Sequence, residues 1–443
     1  MPLVTGANPL KIDIQPLQFV GLNRRENIRD EQIADGINIG SETLPKISPR
    51  LPREDLGYTL SDPQDLFSAG GKLAWVDGTN FYYDGVLKGT VTAGKKSMVD
   101  FNGHIVIFPD KKYYCYNSAN VDYDTFGSFT APDLDYVTTH YNRVFGCKGD
   151  SIRGSKWGDF KSWEDFSGEE DDSWAVDVVT KGDFTGIYTF QDHVIFFKSD
   201  YMTELYGAYP SQFKTVDVGK FGITDQRAVA EGNGYLLFVD KDGVKQYTGG
   251  VPKLVSDELD ETYVDSALVS DGRRFYLFNN NGINNKLYMF DLRTMTWLPE
   301  DDLDVVAFTE IERTVYALDS SGKIWKFNSG SYDDIEWEFT TKEFDMNSFF
   351  KKSVSNVKIK AKMETASTVE VFLSSNGGEF KRLEIYNHYD DDSYKEIYCL
   401  VKTGRLSRFQ IKVKGVGKSI VSGMVEYSFR SDKQIKNDYY TTN

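Results

Sequence analysis

The sequence predicts an all-β protein: a six- or seven-bladed β-propeller with an extended N-terminal arm and a C-terminal antiparallel β-sandwich. Three observations lead there. A turn phrase, Asn or Asp followed by Gly or a substitute and then a burst of aliphatic and aromatic residues, recurs at Asp77-Gly78, Asn102-Gly103, Asn142-Arg143, Asp192-His193, Asn233-Gly234, Asp271-Gly272 and Glu312-Arg313. The last five stand 50, 41, 38 and 41 residues apart, and a repeat of about 40 residues made of hairpins is the period of one four-stranded blade. The composition sets 27 Tyr, 30 Phe and 7 Trp against 12 Pro in 443 residues, which favours ordered strands over helices or disorder. Finally, the apolar pattern changes period near residue 340.

Residues 1–65 read as the arm. They lack sustained alternation, and Pro45, Pro49, Pro52 and Pro63 keep the chain extended. With little core of its own, such an arm gains most of its burial by docking on another subunit. Residues 66–340 read as the propeller. Ile105-Val106-Ile107-Phe108 is apolar on both faces, as a strand sandwiched between neighbouring sheets must be, and Tyr113 to Tyr116 supplies its hairpin partner. Leu236 to Val239 with Val244 to Tyr247, and Val315 to Leu318 with Ile324 to Phe327, repeat that grammar around Asp242-Gly243 and Ser321-Gly322. Counting turn phrases gives seven units, although the first two are only 25 residues apart, so the predicted blade number is six or seven. Residues 341–430 read as the sandwich: Val357, Ile359, Ala361 and Met363 alternate with lysines, and Phe409, Ile411 and Val413 with Gln410, Lys412 and Lys414, giving one buried and one wet face. Residues 431–443 form a polar tail.

A net charge of −16 argues against a protein that coats nucleic acid, since phosphate contacts need clustered Lys and Arg. An acidic wall past which DNA slides fits the same charge. Cys115, Cys147 and Cys399 are odd in number, scattered and without CxxC spacing, which implies neither a disulfide framework nor a zinc site and suits a reducing compartment. The first ten residues lack the basic start and apolar run of a signal peptide, and no stretch approaches the ~18 continuous apolar residues of a spanning helix. The expectation is synthesis in the cytoplasm and no membrane association.

Motifs that carry chemistry are near misses. Gly89 through Gly94-Lys95-Lys96 has Lys96 where a phosphate-binding loop needs a hydroxyl, and it joins hairpins instead of leading a strand into a helix. Asp122-x-Asp124-x-Phe126-Gly127 opens like a calcium loop, but Phe126 replaces an oxygen ligand and Asp133 stands at the closing position. The runs Glu169 to Asp172 and Asp390 to Asp392 read as solvent-facing loop charge. Gly149 to Gly154 is one residue too long for a nucleophile elbow, and Ser374 to Phe380 is a degenerate echo of a sialidase Asp-box that a hairpin turn explains. His104, His140, His193 and His388 fall in or beside predicted strands, as packed or turn residues. No catalytic residue, metal or cofactor is expected.

The arm string Phe19-Val20-Gly21-Leu22-Asn23-Arg24-Arg25, then Asp35-Gly36-Ile37-Asn38, then Leu44-Pro45-Lys46-Ile47-Ser48-Pro49-Arg50, resembles the opening of bacteriophage tail-hub or head-completion propeller proteins. Asn142-Arg143-Val144-Phe145-Gly146 with Ser155-Lys156-Trp157-Gly158-Asp159 and Trp163 is similar to a blade of the same group, and Glu204-Leu205-Tyr206-Gly207 echoes the next. The resemblance implies a non-enzymatic virion protein of the neck or tail, assembled with copies of itself in a symmetric ring, touching other virion proteins and packaged DNA that passes an acidic lumen. Phe19, Arg24, Arg25, Asp35 and Arg50 are then the expected assembly contacts, the arginines forking onto a neighbour's carboxylates. A rival reading is a host-surface binding propeller that holds a glycan on Trp157, Trp163 and Trp174, which cluster in a loop-rich stretch. A glycan hydrolase is the third.

Overall fold

The structure, a computed structural model, describes residues 12–347, 351–387, 393–401, 403 and 405–429. His388, the run Asp390 to Asp392 and the polar tail lie outside the described residues. Among the described residues the regular elements are strands, apart from the short 3-10 turns Pro210–Gln212 and Asp257–Leu259, and no helix is long and apolar enough to cross a membrane. The chain divides into two compact units: Arg53–Met295 with Asp302–Gly330, and Met1–Pro52 with Thr296–Asp301 and Ser331–Asn443.

The first unit is a seven-bladed propeller. Its blades open with the inner strands Pro63–Ala69, Ser97–Phe101, Tyr136–His140, Phe184–Phe190, Val229–Gly232, Asp265–Ser270 and Val305–Ile311. Each is followed by antiparallel strands in sequence order. The seventh blade closes differently: its outer strand is Arg53–Thr59, paired antiparallel to Lys323–Phe327 from the other end of the unit. The ring is thereby fastened by hydrogen bonds between its first and last strands.

The uneven first interval has a simple cause. In blades two to seven the repeated phrase is the turn between the first and second strands. Asp77-Gly78 is instead the second turn of blade one, whose first turn is Gly70-Gly71, between Pro63–Ala69 and Lys72–Asp77. Left-handed backbone explains the residues chosen: φ is +57° and +72° at Gly70 and Gly71, and +50° and +78° at Asn233 and Gly234. Glu312 and Arg313, at +48° and +64°, hold the same shape without glycine.

His104–Phe108 shows how a blade strand is buried. Ile105 and Ile107 join Ala74, Phe81 and Tyr114 in one apolar cluster, while Val106 and Phe108 join Val144, Phe160 and Trp163 in the next. Alternate side chains of one strand thus face two neighbouring blades. Full burial of each contributes about 1.5–3 kcal/mol.

The second unit is built on two sheets. One runs Ile12–Leu17, Ser419–Phe429, Lys352–Met363, Ser393–Leu400; the other Gly21–Leu22, Gln32–Ile37, Glu336–Thr341, Phe409–Val416, Thr368–Ser375, Lys381–Asn387. Val357, Ile359, Ala361, Met363, Phe409, Ile411 and Val413 are buried as the alternation predicts. The lysines between them lie outward in ion pairs such as Lys358 with Glu426 at 2.5 Å and Lys414 with Glu338 at 2.7 Å.

Here the structure corrects the arm. Residues 12–52 are not an extended segment without a core. They supply strands to both sheets, with Leu22, Ile33, Ile39 and Ile47 fully buried, and the predicted boundary at 65 falls inside blade one, after the closing strand Arg53–Thr59. The strands are short and broken by proline, so no alternation long enough to read survives in the sequence.

Candidate functional site

The inner strands of the propeller surround a cavity of about 600 Å³ lined by Val137, Tyr188, Val229, Ala267, Phe308 and Glu310 among others. Polar side chains concentrate where the loops leading into the inner strands converge. Arg227, just before Val229–Gly232, is the organiser. Its Nε and Nη2 donate to the two oxygens of Asp225 at 3.0 and 3.3 Å, Nη2 also donates to Asp265 at 2.6 Å, and Nη1 donates to the Val306 carbonyl at 2.6 Å. Lys95 reaches the same Asp225 at 2.5 Å. Blades two, five, six and seven are thereby tied together by one guanidinium and one carboxylate.

The electrostatics follow from those partners. Burial alone would raise the Asp225 pKa, but the Arg227 fork and Lys95 overcome it and hold the carboxyl at about 2. Asp65 goes the other way: burial pushes its pKa up to about 6 against the two backbone amides, of Lys96 and Leu66, that donate to it at 2.9 and 2.8 Å. Lys96 forms a buried ion pair with Asp110 at 2.8 Å. Gln226 pairs through both amide atoms with the backbone of Ile187, at 2.7 and 2.8 Å. An acid with a raised pKa beside a cavity has the profile of a functional group. Asp65, however, spends both oxygens on backbone amides and clips blade one to the loop entering blade two.

A second polar network joins blades four and five. The Tyr247 hydroxyl donates to Glu204 and lies 3.4 Å from His193 Nε2, and the Tyr206 hydroxyl donates to the other Glu204 oxygen at 2.8 Å. Burial and the adjoining carboxylate push Tyr247 well above the usual phenol range and Tyr206 up to about 12. His193 is buried and stacked on Tyr206 at 4.7 Å. It sits as a packed strand residue.

The residues expected to make assembly contacts are spread through the second unit. Phe19 is 1% exposed and packs edge-on to Phe339 at 4.8 Å, as a core residue. Arg24 donates to Asp35 at 2.9 Å, so two of the expected contacts meet each other. Arg25 is exposed, its backbone amide bonded to Asn23. Arg50 forks as its chemistry suggests, but within its own chain: onto Asn38 at 2.7 Å, Asp301 at 3.3 Å and, more loosely, Glu300 at 3.6 Å.

Nor do the tryptophans form a platform. Trp157 is 52% exposed, Trp163 is 4% exposed in the core against Phe108, and Trp174 lies edge-on to Phe213 at 5.2 Å. Their loop is organised by a residue whose role the sequence hid: buried Arg143 donates to the carbonyls of Ser155, Glu170, Asp171 and Asp172. Asp172, expected to face solvent, is buried and accepts from Ser167, Gly168 and Glu169. The carboxylates of the calcium-like string diverge, Asp124 to Lys88 and Tyr114, Asp133 to Lys111. Lys95 and Lys96, in the near-miss phosphate loop, are consumed by Asp225 and Asp110.

No family model matches this chain, and no curated protein matches it. Solved structures do. PorZ of Porphyromonas gingivalis, described as a surface component of the type-IX secretion system, is similar over 66% of this chain at 12% identity and a TM-score of 0.41; the chain spans 43% of that protein's length. The Neurospora crassa Pan2 WD40 domain is similar over 64% of this chain and 96% of its own, at 8% identity and a TM-score of 0.41. An extracellular domain from B. thetaiotaomicron, described as that of a one component system, matches 87% of this chain and 63% of its own, at 10% identity and a TM-score of 0.44. The fold of this chain is that of a β-propeller protein.

Proposed function

We propose that this chain is a non-enzymatic assembly protein, a neck or tail component of a phage particle, in which the propeller is a rigid body and the β-sandwich unit makes the subunit contacts. The observation that carries this reading is the outer strand Ser393–Leu400. Among the described residues it is paired along one edge, to Lys352–Met363. Along it Ile397 and Cys399 are buried, while Tyr394, Tyr398 and Leu400, on the opposite face, are 70, 55 and 83% exposed. Large apolar side chains gathered on an outermost strand are a surface that proteins cover with a partner. In the propeller, by contrast, the cations at the mouth, Arg227, Lys95 and Lys96, are held in internal ion pairs with Asp225, Asp265 and Asp110.

The phage setting rests on the arm and blade phrases in the sequence. A net charge of −16 suits a wall past which DNA slides without being gripped. The occupant of the exposed face is a second copy of the chain, as a ring requires. Sedimentation of the full-length protein should give a closed oligomer that Leu400→Asp converts to monomer, with incorporation into particles lost in parallel. A wild-type protein that stays monomeric at high concentration, with particles that accept Leu400→Asp normally, would refute the assignment.

A further inference from the structure

His104, Cys115 and Asp122 lie on one hairpin of blade two and its following loop. His104 opens the strand His104–Phe108, Cys115 closes Lys112–Cys115 and is its direct cross-strand partner, and Asp122 returns from the loop that follows. Their ligating atoms all lie within 4.8 Å of one another. Tetrahedral zinc with imidazole, thiolate and carboxylate ligands sets its donors about 3.3–3.6 Å apart, so a modest contraction makes a site.

The hydrogen bonds around the imidazole point the same way. Nδ1 faces the Asn102 carbonyl at 3.2 Å, a hydrogen bond in the tautomer that carries its proton on Nδ1. Nε2 of a neutral ring then presents a lone pair, yet it faces both Asp122 oxygens at 3.1 and 3.2 Å. In that tautomer a metal ion between them reconciles the facing lone pairs; in the other, Nε2 itself donates to Asp122. A backbone carbonyl on Nδ1 is the outer-shell partner that fixes a ligating histidine's orientation. Asn120 braces the arrangement, donating to the same Asn102 carbonyl at 2.9 Å and to the Cys115 sulfur at 3.6 Å. The competing cation is Lys161, whose Nζ is 3.7 Å from Asp122 Oδ2.

We infer that His104 Nε2, Cys115 Sγ and an Asp122 oxygen bind a thiophilic divalent cation, zinc, with one coordination position left to water. A histidine, a thiol and a carboxylate are the donor types that zinc accepts, and the sulfur discriminates against calcium and magnesium. On binding, the thiol proton leaves to solvent and the thiolate forms the metal–sulfur bond.

The test uses the full-length chain, stripped with chelator and titrated with Co²⁺. One equivalent should bring up the thiolate-to-cobalt charge-transfer absorption, and added Zn²⁺ should displace it. Cys115→Ser should abolish the band, and Asp122→Asn, a variant in a loop with little folding risk, should weaken binding at least about tenfold. Cys399→Ala should bind like wild type. Absence of the band in the wild-type protein, or undiminished binding by both Cys115→Ser and Asp122→Asn, would overturn the site and leave a histidine–carboxylate hydrogen bond beside Lys161.

Discussion

The propeller and the β-sandwich unit solve strand pairing in opposite ways. In the propeller each strand bonds to its neighbour in sequence, with the single exception of Arg53–Thr59 on Lys323–Phe327. In the other unit Ile12 pairs with Ser428 and Ile33 with Thr341, partners 416 and 308 residues apart. Local hairpins close small loops and leave a periodic trace in the sequence. Long-range pairs must close a large loop before any contact rewards them, and they leave no such trace.

The sharpest way to break this contrast is to remove the one non-local strand of the propeller. A fragment spanning Arg53 to Gly330 should unfold in one cooperative transition, whereas Leu60 to Gly330, lacking the closing strand, should lose cooperativity altogether when followed by near-ultraviolet circular dichroism in urea. Equal behaviour of the two fragments would show that closure contributes nothing. Within the blades, Ile107→Ala should cost about 2–5 kcal/mol in denaturant titration, because the site is fully buried between two sheets.

In the sandwich unit, Arg50→Ala should cost about 3 kcal/mol, since it takes the guanidinium away from the buried Glu300 and the largely buried Asp301. At the propeller mouth two carboxylates give opposite pH responses. Asp65, raised from 3.8 to about 6, binds its proton more tightly in the folded state, so its contribution falls as pH rises through that window. Asp225, lowered to about 2, gives stability that is present above pH 3.8 and lost as pH falls toward 2. Relative to wild type, Asp65→Asn should therefore gain on the order of 2 kcal/mol between pH 4 and 6.5, measured by urea unfolding across that range. A flat difference would remove the buried-acid assignment. The smallest effect is expected at Arg24→Ala, whose partner Asp35 is mostly exposed: less than about 1 kcal/mol, vanishing in high salt.

Much of the propeller is legible in the sequence. The two-faced apolar run Ile105 to Phe108 and the Asn-Gly and Asp-Gly turns declare both a strand's environment and the geometry of the hairpin, because side-chain periodicity and left-handed turns are local properties. The alternation of Val357 to Met363 with lysines is legible for the same reason. What could not be read was partnership. Asp77-Gly78 and Gly70-Gly71 are equally good turns, and only the pairing of Pro63–Ala69 with Lys72–Asp77 shows which one matches the other blades.

The candidate site was the least legible part. Arg227, Asp225 and Asp65 carry no spacing signal, since their contacts come from loops of different blades meeting at one mouth. His104 and Cys115 are eleven positions apart in sequence and directly opposed across a hairpin; a strand register, not a motif, brings them together. The sequence by itself determined that this protein is β throughout, that its strands come in blade-sized groups, and which faces are wet, because those follow from side-chain pattern and turn chemistry. Only the tertiary structure decided that residues 12–52 belong to a folded unit, that Arg53–Thr59 closes the ring, and which charges find partners, because a strand's apolar pattern names the face it buries and says nothing about the chain that covers it.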